Sequence, residues 1–121
     1  MGEPAVPAPP VDILRGTLDL LILKALSAGP AHGFGIARWI EQATGDVLQV
    51  GEGSLYPALH RLEERGWIEA DWGVSDNNRR AKYYVLTAKG RARLRVEVET
   101  WTRFARAVFA ALDVSPSPHP A

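Results

Sequence analysis

The sequence contains no cysteine, which excludes a disulfide framework, a cysteine-based zinc site and a thiol nucleophile. With three histidines spread along the chain, no metal-ligand set is expected either. No apolar run approaches the ~20 residues that a membrane-spanning helix needs, and the first residues lack the basic and apolar blocks of a signal peptide. These absences predict a cytoplasmic protein that binds no metal, no cofactor and no membrane.

Motifs of catalysis are missing as well. Ser54 ends the run GEGS, which differs from the G-x-S-x-G turn of serine hydrolases. The two glycines of that run lack the third glycine and the preceding strand of a dinucleotide site. Glu63 and Glu64 are adjacent on a predicted wet helix surface rather than paired in an apolar setting. We therefore expect no catalytic residue and no enzyme activity.

The chain has the length of one domain, and its 46% apolar residues are enough for a core. Proline is concentrated at the two ends, since residues 1–10 carry four of the nine prolines and residues 115–121 carry three more. Proline-rich polar segments bury too little surface to offset the entropy lost when they are ordered. We therefore predict disordered tails at residues 1–12 and 114–121.

Apolar residues at helical spacing predict three helices in the first half of the chain. The first spans about residues 13–28 and the second about residues 33–44. The third begins near Ser54, whose hydroxyl is expected to cap it by accepting a bond from a free amide. Pro57 is expected in the first turn of this helix, where its missing N–H costs little. Gly66 is expected to end it.

Alternating apolar and polar residues then predict two short strands, at about residues 68–72 and 81–86, joined by a turn. A long helix follows over residues 88–113. Three helices before a hairpin is the order of a winged helix-turn-helix domain, which we place at residues 13–87. The predicted fold class is therefore α+β: mainly α with a small β-hairpin, and a long C-terminal helix beside the winged helix.

Basic residues are concentrated around the predicted hairpin. The net charge is zero, yet seven of the fourteen basic residues lie between Arg79 and Arg95, uninterrupted by an acidic residue. Such a stretch is either a solvated surface or a contact with a phosphate backbone. In a winged helix the third helix enters the major groove of DNA and the hairpin, or wing, reaches a neighbouring groove. The predicted DNA contacts are Ser54, Tyr56, His60 and Arg61 on the third helix, and Arg79, Arg80 and Lys82 on the wing.

The long C-terminal helix carries an apolar stripe with the 4, 3, 4, 3, 4 spacing of a two-helix seam. Its members are Leu94, Val98, Trp101, Ala105, Val108 and Leu112. Leu20 and Leu23 lie off the main stripe of the first helix, which predicts a second surface for a partner subunit. We therefore place these eight residues at a dimer interface. The alternative is a monomer that buries the stripe against its own first helix.

Several spaced motifs resemble the PadR family of transcriptional regulators. They are residues 18–23 (LDLLIL), 32–34 (HGF), 53–63 (GSLYPALHRLE) and 78–84 (NRRAKYY), with Leu86, Thr87 and Gly90. The family typically has tyrosine where Phe34 stands. The resemblance spans about residues 13–112. It implies a homodimeric winged-helix regulator, usually a repressor, that binds a roughly palindromic operator in double-stranded DNA.

The single C-terminal helix resembles the short-chain subgroup, in which the last helix supplies the dimer interface. Carried over by position, the resemblance selects the same seven DNA-facing residues. In some regulators of this kind a tryptophan of the last helix sandwiches a flat aromatic effector between the subunits, and Trp101 stands at that place. A tryptophan that only packs the seam is the commoner case. The competing function is a winged-helix module that binds proteins rather than specific DNA.

Overall fold

The structure, a computed structural model, describes residues 11–12, 15–74 and 77–114. Its helices are α1 (Arg15–Leu26), α2 (Gly33–Ala43), α3 (Glu52–Glu64) and α4 (Ala88–Leu112). Its strands are β1 (Val11–Asp12), β2 (Ala31–His32), β3 (Leu48–Gln49), β4 (Ile68–Val74) and β5 (Arg80–Leu86). None of the helices in these ranges is long and apolar enough to cross a membrane.

Two pairings add strands that the sequence did not predict. β2 pairs with β5 and extends the β4–β5 hairpin to a three-stranded antiparallel sheet in the order β2-β5-β4. β1 pairs in parallel with β3, so Val11 and Asp12 belong to a strand rather than to the predicted tail. Residues 1–10 and 115–121, which hold the rest of both predicted tails, lie outside the described residues. The predicted winged-helix fold is confirmed, with a third strand added to the hairpin.

Helix α1 lies at the centre of the domain, where it contacts α2, α3, α4 and β5. Its residues Ile22, Leu23 and Leu26 are fully buried, and they pack with Leu59 and Ile68 in one core. The prediction for Leu23 is therefore wrong: only 1% of its surface is exposed, so no partner subunit can reach it. A helix surrounded on several sides needs apolar residues on more than one face.

The start of α3 also differs from the prediction. The helix begins at Glu52, and its N-cap Gly51 makes no side-chain cap bond. Ser54 lies exposed in the first turn, so the predicted Ser54 cap is wrong. Pro57 lies one turn further in than expected. The carbonyl that its missing N–H would have bonded belongs to the exposed Gly53, where water can bond to it instead.

Helix α4 is fixed to the domain by hydrogen bonds at its first turn. The Thr87 hydroxyl accepts a bond from the Gly90 amide at 2.9 Å and donates one to the Gly66 carbonyl at 2.7 Å. The Thr87 amide donates to the Trp67 carbonyl at 3.1 Å. Gly90 is the one fully buried residue of α4 among those described. The winged helix and the long helix are therefore joined at this junction.

Candidate nucleic-acid interface

A cleft of about 870 Å³ opens between the first turn of α2, the exposed side of α3 and the inner face of the hairpin. The strand alternation explains its position. Ile68 and Leu86 pair across the hairpin and are buried in the core. Trp72 and Lys82 pair further out on the same face of the hairpin, where the core has ended. The inner face of the hairpin thus becomes one wall of the cleft. Rings and cations line it together: Phe34, Tyr56, Trp72, Tyr84, Arg79, Arg80 and Lys82.

Tyr56 joins the two helical walls of this cleft. Its ring lies against Gly33, where an added Cβ would be only 2.9 Å from the Tyr56 hydroxyl. Glycine is therefore needed at the start of α2 for the ring to approach. About half of the Tyr56 side chain, 48%, remains exposed. Tyr56 lines the cleft, and a tyrosine hydroxyl can donate a hydrogen bond.

Neighbouring rings and one carboxylate hold Arg80 and Lys82 of the wing. The Arg80 guanidinium lies 4.7 Å from the centre of the Trp72 ring, a cation–π distance. Lys82 Nζ lies 3.5 Å from a Glu63 carboxylate oxygen and 5.7 Å from the centre of the Tyr84 ring. Arg79 is exposed at the wing. The rings thus orient cations along one wall, and Glu63 reduces the charge at its inner end.

Tyr84 closes the inner end of the cleft. Burial raises the pKa of its phenol, and the negative charge of Glu63 and the neighbouring Tyr56 raise this pKa further. The phenol therefore stays neutral up to a higher pH than an exposed tyrosine does. It therefore adds no negative charge to the cleft at neutral pH.

Three of the four α3 residues predicted to contact DNA are exposed, and the fourth points toward α1. Ser54, Tyr56 and His60 are exposed, and His60 Nε2 lies 3.7 Å from a Glu64 carboxylate oxygen. Arg61 instead turns toward α1, where its Nη2 lies 2.7 Å from Asp19 Oδ1. The prediction that Arg61 contacts DNA is therefore corrected, because the half-buried guanidinium already has a charged partner.

The apolar stripe of α4 is uncovered along most of its length. Its members Val98, Trp101, Val108 and Leu112 are all exposed, to between 38% for Val108 and 64% for Leu112, and Phe104 beside the stripe is 63% exposed. Ala105 is half-buried, as is Leu20 of α1. Leu94, at the N-terminal end of the stripe, packs against the core of its own chain. This end of the stripe is therefore covered within the monomer, as the alternative interpretation expects. The Trp101 indole donates a 3.4 Å hydrogen bond to the Thr17 hydroxyl.

Two contributors to the site were missed in the sequence. Trp72 was assigned only to a strand, although its alternation with Ile68 and Ala70 continues past the point where the core ends. Asp19 was not assigned a role, although a single carboxylate within the apolar run LDLLIL needs a partner. Among the described residues no cluster of potential metal ligands occurs.

This arrangement of helices, sheet and basic cleft defines a winged helix-turn-helix protein with the fold of a DNA-binding regulator. Residues 22–96 match the family described as "Transcriptional regulator PadR-like family". The chain belongs to this family. The resemblance seen in the sequence motifs is therefore confirmed.

Individual relatives agree with this assignment. A protein of Lysinibacillus sphaericus is 40% identical over 91 residues, which cover 74% of this chain and 83% of that protein. A transcriptional regulator of Mycobacterium tuberculosis is 33% identical, over 78% of this chain and 84% of that protein. A PadR family transcription regulator from Clostridium difficile has a solved structure with a TM-score of 0.64 and 30% identity, over 78% of this chain and 96% of that chain. The matched family is one of transcriptional regulators, and a solved structure of a transcriptional regulator from Clostridium thermocellum has a TM-score of 0.70 and 30% identity, over 78% of this chain and 91% of that chain.

Proposed function

We propose that this protein is a homodimeric transcriptional repressor that binds a roughly palindromic operator sequence. The cleft between α3 and the wing is the observation that carries this proposal. When a winged helix binds DNA, α3 lies in the major groove and the wing reaches a neighbouring groove. The sugar-phosphate backbone between these grooves then passes through the cleft. Its cationic wall and the Tyr56 hydroxyl suit a phosphodiester strand.

The DNA contacts in this proposal come from both sides of the cleft. Ser54 and His60 project from the exposed side of α3 and contact the major groove, and Tyr56 contacts the backbone in the cleft. Arg79, Arg80 and Lys82 contact the backbone or the adjacent minor groove. A module that only binds proteins would not need a wing wall of three cations. The charge distribution therefore favours DNA over a protein ligand.

The dimer in this proposal forms through residues 88–113, while residues 13–87 form the DNA-binding domain. Fully burying a Val, Leu or Phe side chain gains roughly 1.5–3 kcal/mol, and the α4 stripe leaves several of them in water. Pairing with the same stripe of a second copy covers them and sets two recognition helices at a fixed distance. Two-fold symmetry of the protein then requires a palindromic operator.

Trp101 lies in the middle of the proposed dimer face with 44% of its surface exposed. We propose it as the platform for a small flat aromatic effector held between the subunits, which relieves repression. Fluorescence quenching by a planar aromatic cation tests this site. The quenching is expected in the intact dimer and not in a Trp101→Phe variant, because the other tryptophans lie elsewhere.

The DNA-binding role of the wing is tested with an Arg79→Ala/Arg80→Ala variant in a salt titration. Each lost phosphate contact reduces the magnitude of the negative slope of log K against log salt by about 0.9. We therefore expect the magnitude of the slope to fall by about 2, and binding to all DNA sequences to weaken. The matched control, Arg103→Ala/Arg106→Ala, removes the same charge from exposed positions of α4. If the wing variant binds with the same slope as the unmodified protein, the wing assignment is wrong.

A further inference from the structure

Among the described side chains, an ion pair joins helices α1 and α3 inside a contact made mainly by buried apolar residues. Arg61 Nη2 donates to Asp19 Oδ1 at 2.7 Å, and these side chains are only 20% and 16% exposed. Around the pair, Leu18 and Ile22 of α1 and Leu55, Leu59 and Leu62 of α3 are buried in the core. The pair therefore links two elements that are 42 residues apart in sequence.

Apolar contacts and charged hydrogen bonds constrain helices differently. Leucine contacts are non-directional, so helices packed only through them tolerate small rotations and slides. A charge-assisted hydrogen bond has a narrow range of distance and angle. The Asp19–Arg61 pair thus fixes the rotation of α3 about its own axis relative to α1. This rotation decides where the exposed residues Tyr56 and His60 point.

The same helix α1 also contacts the proposed dimerisation helix. Thr17, two residues before Asp19, accepts a hydrogen bond from the Trp101 indole of α4. Helix α1 therefore carries a polar contact to α4 and another to α3 within one turn. Helix α1 therefore connects α3 to the proposed dimerisation helix, and the orientation of α3 relative to the dimer axis depends on both contacts.

We propose that Asp19 and Arg61 are positioning residues: their ion pair sets the recognition helix for specific DNA binding, and Arg61 does not itself contact DNA. This inference rests on the proposed function, because it concerns how that function acquires its specificity. It makes a prediction opposite to simple electrostatics. Removing the Asp19 carboxylate takes a negative charge away from a DNA-binding domain, which by charge alone strengthens DNA binding. Positioning predicts weaker operator binding instead.

A double-mutant cycle tests the proposal, using the full chain and an operator selected from random DNA. Asp19→Ala and Arg61→Ala are each expected to lower operator affinity by roughly 10-fold and to leave affinity for random DNA within about 2-fold. The double variant is expected to bind no more weakly than either single variant. This complete coupling is expected because both substitutions remove the same ion pair.

Three further measurements keep the outcomes distinct. Glu69→Ala, which removes an exposed carboxylate from β4, is expected to keep the preference for the operator. Thermal unfolding of each variant shows that binding is measured on folded protein, and Asp19→Asn is the milder replacement if Asp19→Ala fails to fold. The slope of binding against salt is expected to be unchanged in Arg61→Ala, because no phosphate contact is lost.

The proposal is overturned if Arg61→Ala weakens operator binding further in the Asp19→Ala background, since Arg61 then acts on DNA directly. It is equally overturned if Asp19→Ala binds the operator as tightly as the unmodified protein, or more tightly. If the unmodified protein shows no preference for any DNA sequence, the proposed function itself fails and this inference fails with it. The first two results leave the proposed function standing.

Discussion

A Val108→Glu variant is expected to be a monomer at micromolar concentration and to lose operator binding. Val108 lies in the exposed apolar stripe of α4, between Trp101 and Leu112. In the proposed dimer its side chain is buried against the partner, and burying an unpaired carboxylate costs several kcal/mol. A cost of about 3 kcal/mol raises the dimer dissociation constant more than 100-fold. Sedimentation equilibrium measures this directly.

The matched control is Ala110→Glu. It adds the same charge to the same helix two residues later, on the side opposite the stripe, where Ala110 is exposed. This variant is expected to remain a dimer with unchanged DNA affinity. If Val108→Glu also remains a dimer at micromolar concentration, α4 is not the dimer interface.

The second large effect is expected from Gly90→Ala, which acts on folding rather than on binding. A Cβ at this position would overlap the Trp67 carbonyl and lie 2.9 Å from Leu86 Cδ1. Helix α4 must then move away, which breaks the hydrogen bond from the Thr87 amide to Trp67. Overpacking of this kind costs about 1–3 kcal/mol, and the lost bond adds to it. We expect the melting temperature to fall by roughly 10 °C or more.

Gly16→Ala is the control for this prediction. Gly16 lies in α1, and an added Cβ there would have no neighbour within 4 Å. Because alanine restricts the unfolded chain, this variant is expected to be stabilised by roughly 0.4–1 kcal/mol. If the Gly90→Ala variant has the same melting temperature as the unmodified protein, α4 does not pack closely against the Trp67 carbonyl at this junction.

The elements with long periodic patterns were predictable from the sequence, and the two-residue strands were not. The stripe of α4 and the alternation of Ile68, Ala70 and Trp72 extend over enough residues to indicate helix and strand. Ala31 and His32 carry no period of their own, and their strand exists only because β5 lies beside them. This pairing matters for the site, because it places the start of α2 at the edge of the cleft.

The errors at Leu23 and Arg61 have a common physical cause, the central position of α1. A helical pattern describes one helix and does not say how many neighbours surround it. Leu23 lies outside the main apolar stripe of α1, which predicts that it is exposed to a partner. It is nevertheless buried, because α1 is packed against other elements on several sides. The helical pattern places Arg61 on the exposed face of α3, but in the structure its guanidinium forms an ion pair with Asp19 of α1. Only tertiary structure brings these two residues together.

The central claim, that a dimer of this winged helix recognises specific DNA, is tested most directly by selection from a random DNA library. The unmodified protein is incubated with random duplexes at physiological salt, and the bound sequences are enriched and read. The account predicts an inverted repeat whose half-sites are about one helical turn, roughly 10 bp, apart. Enrichment of no sequence, or of a single half-site without its inverted copy, would contradict it.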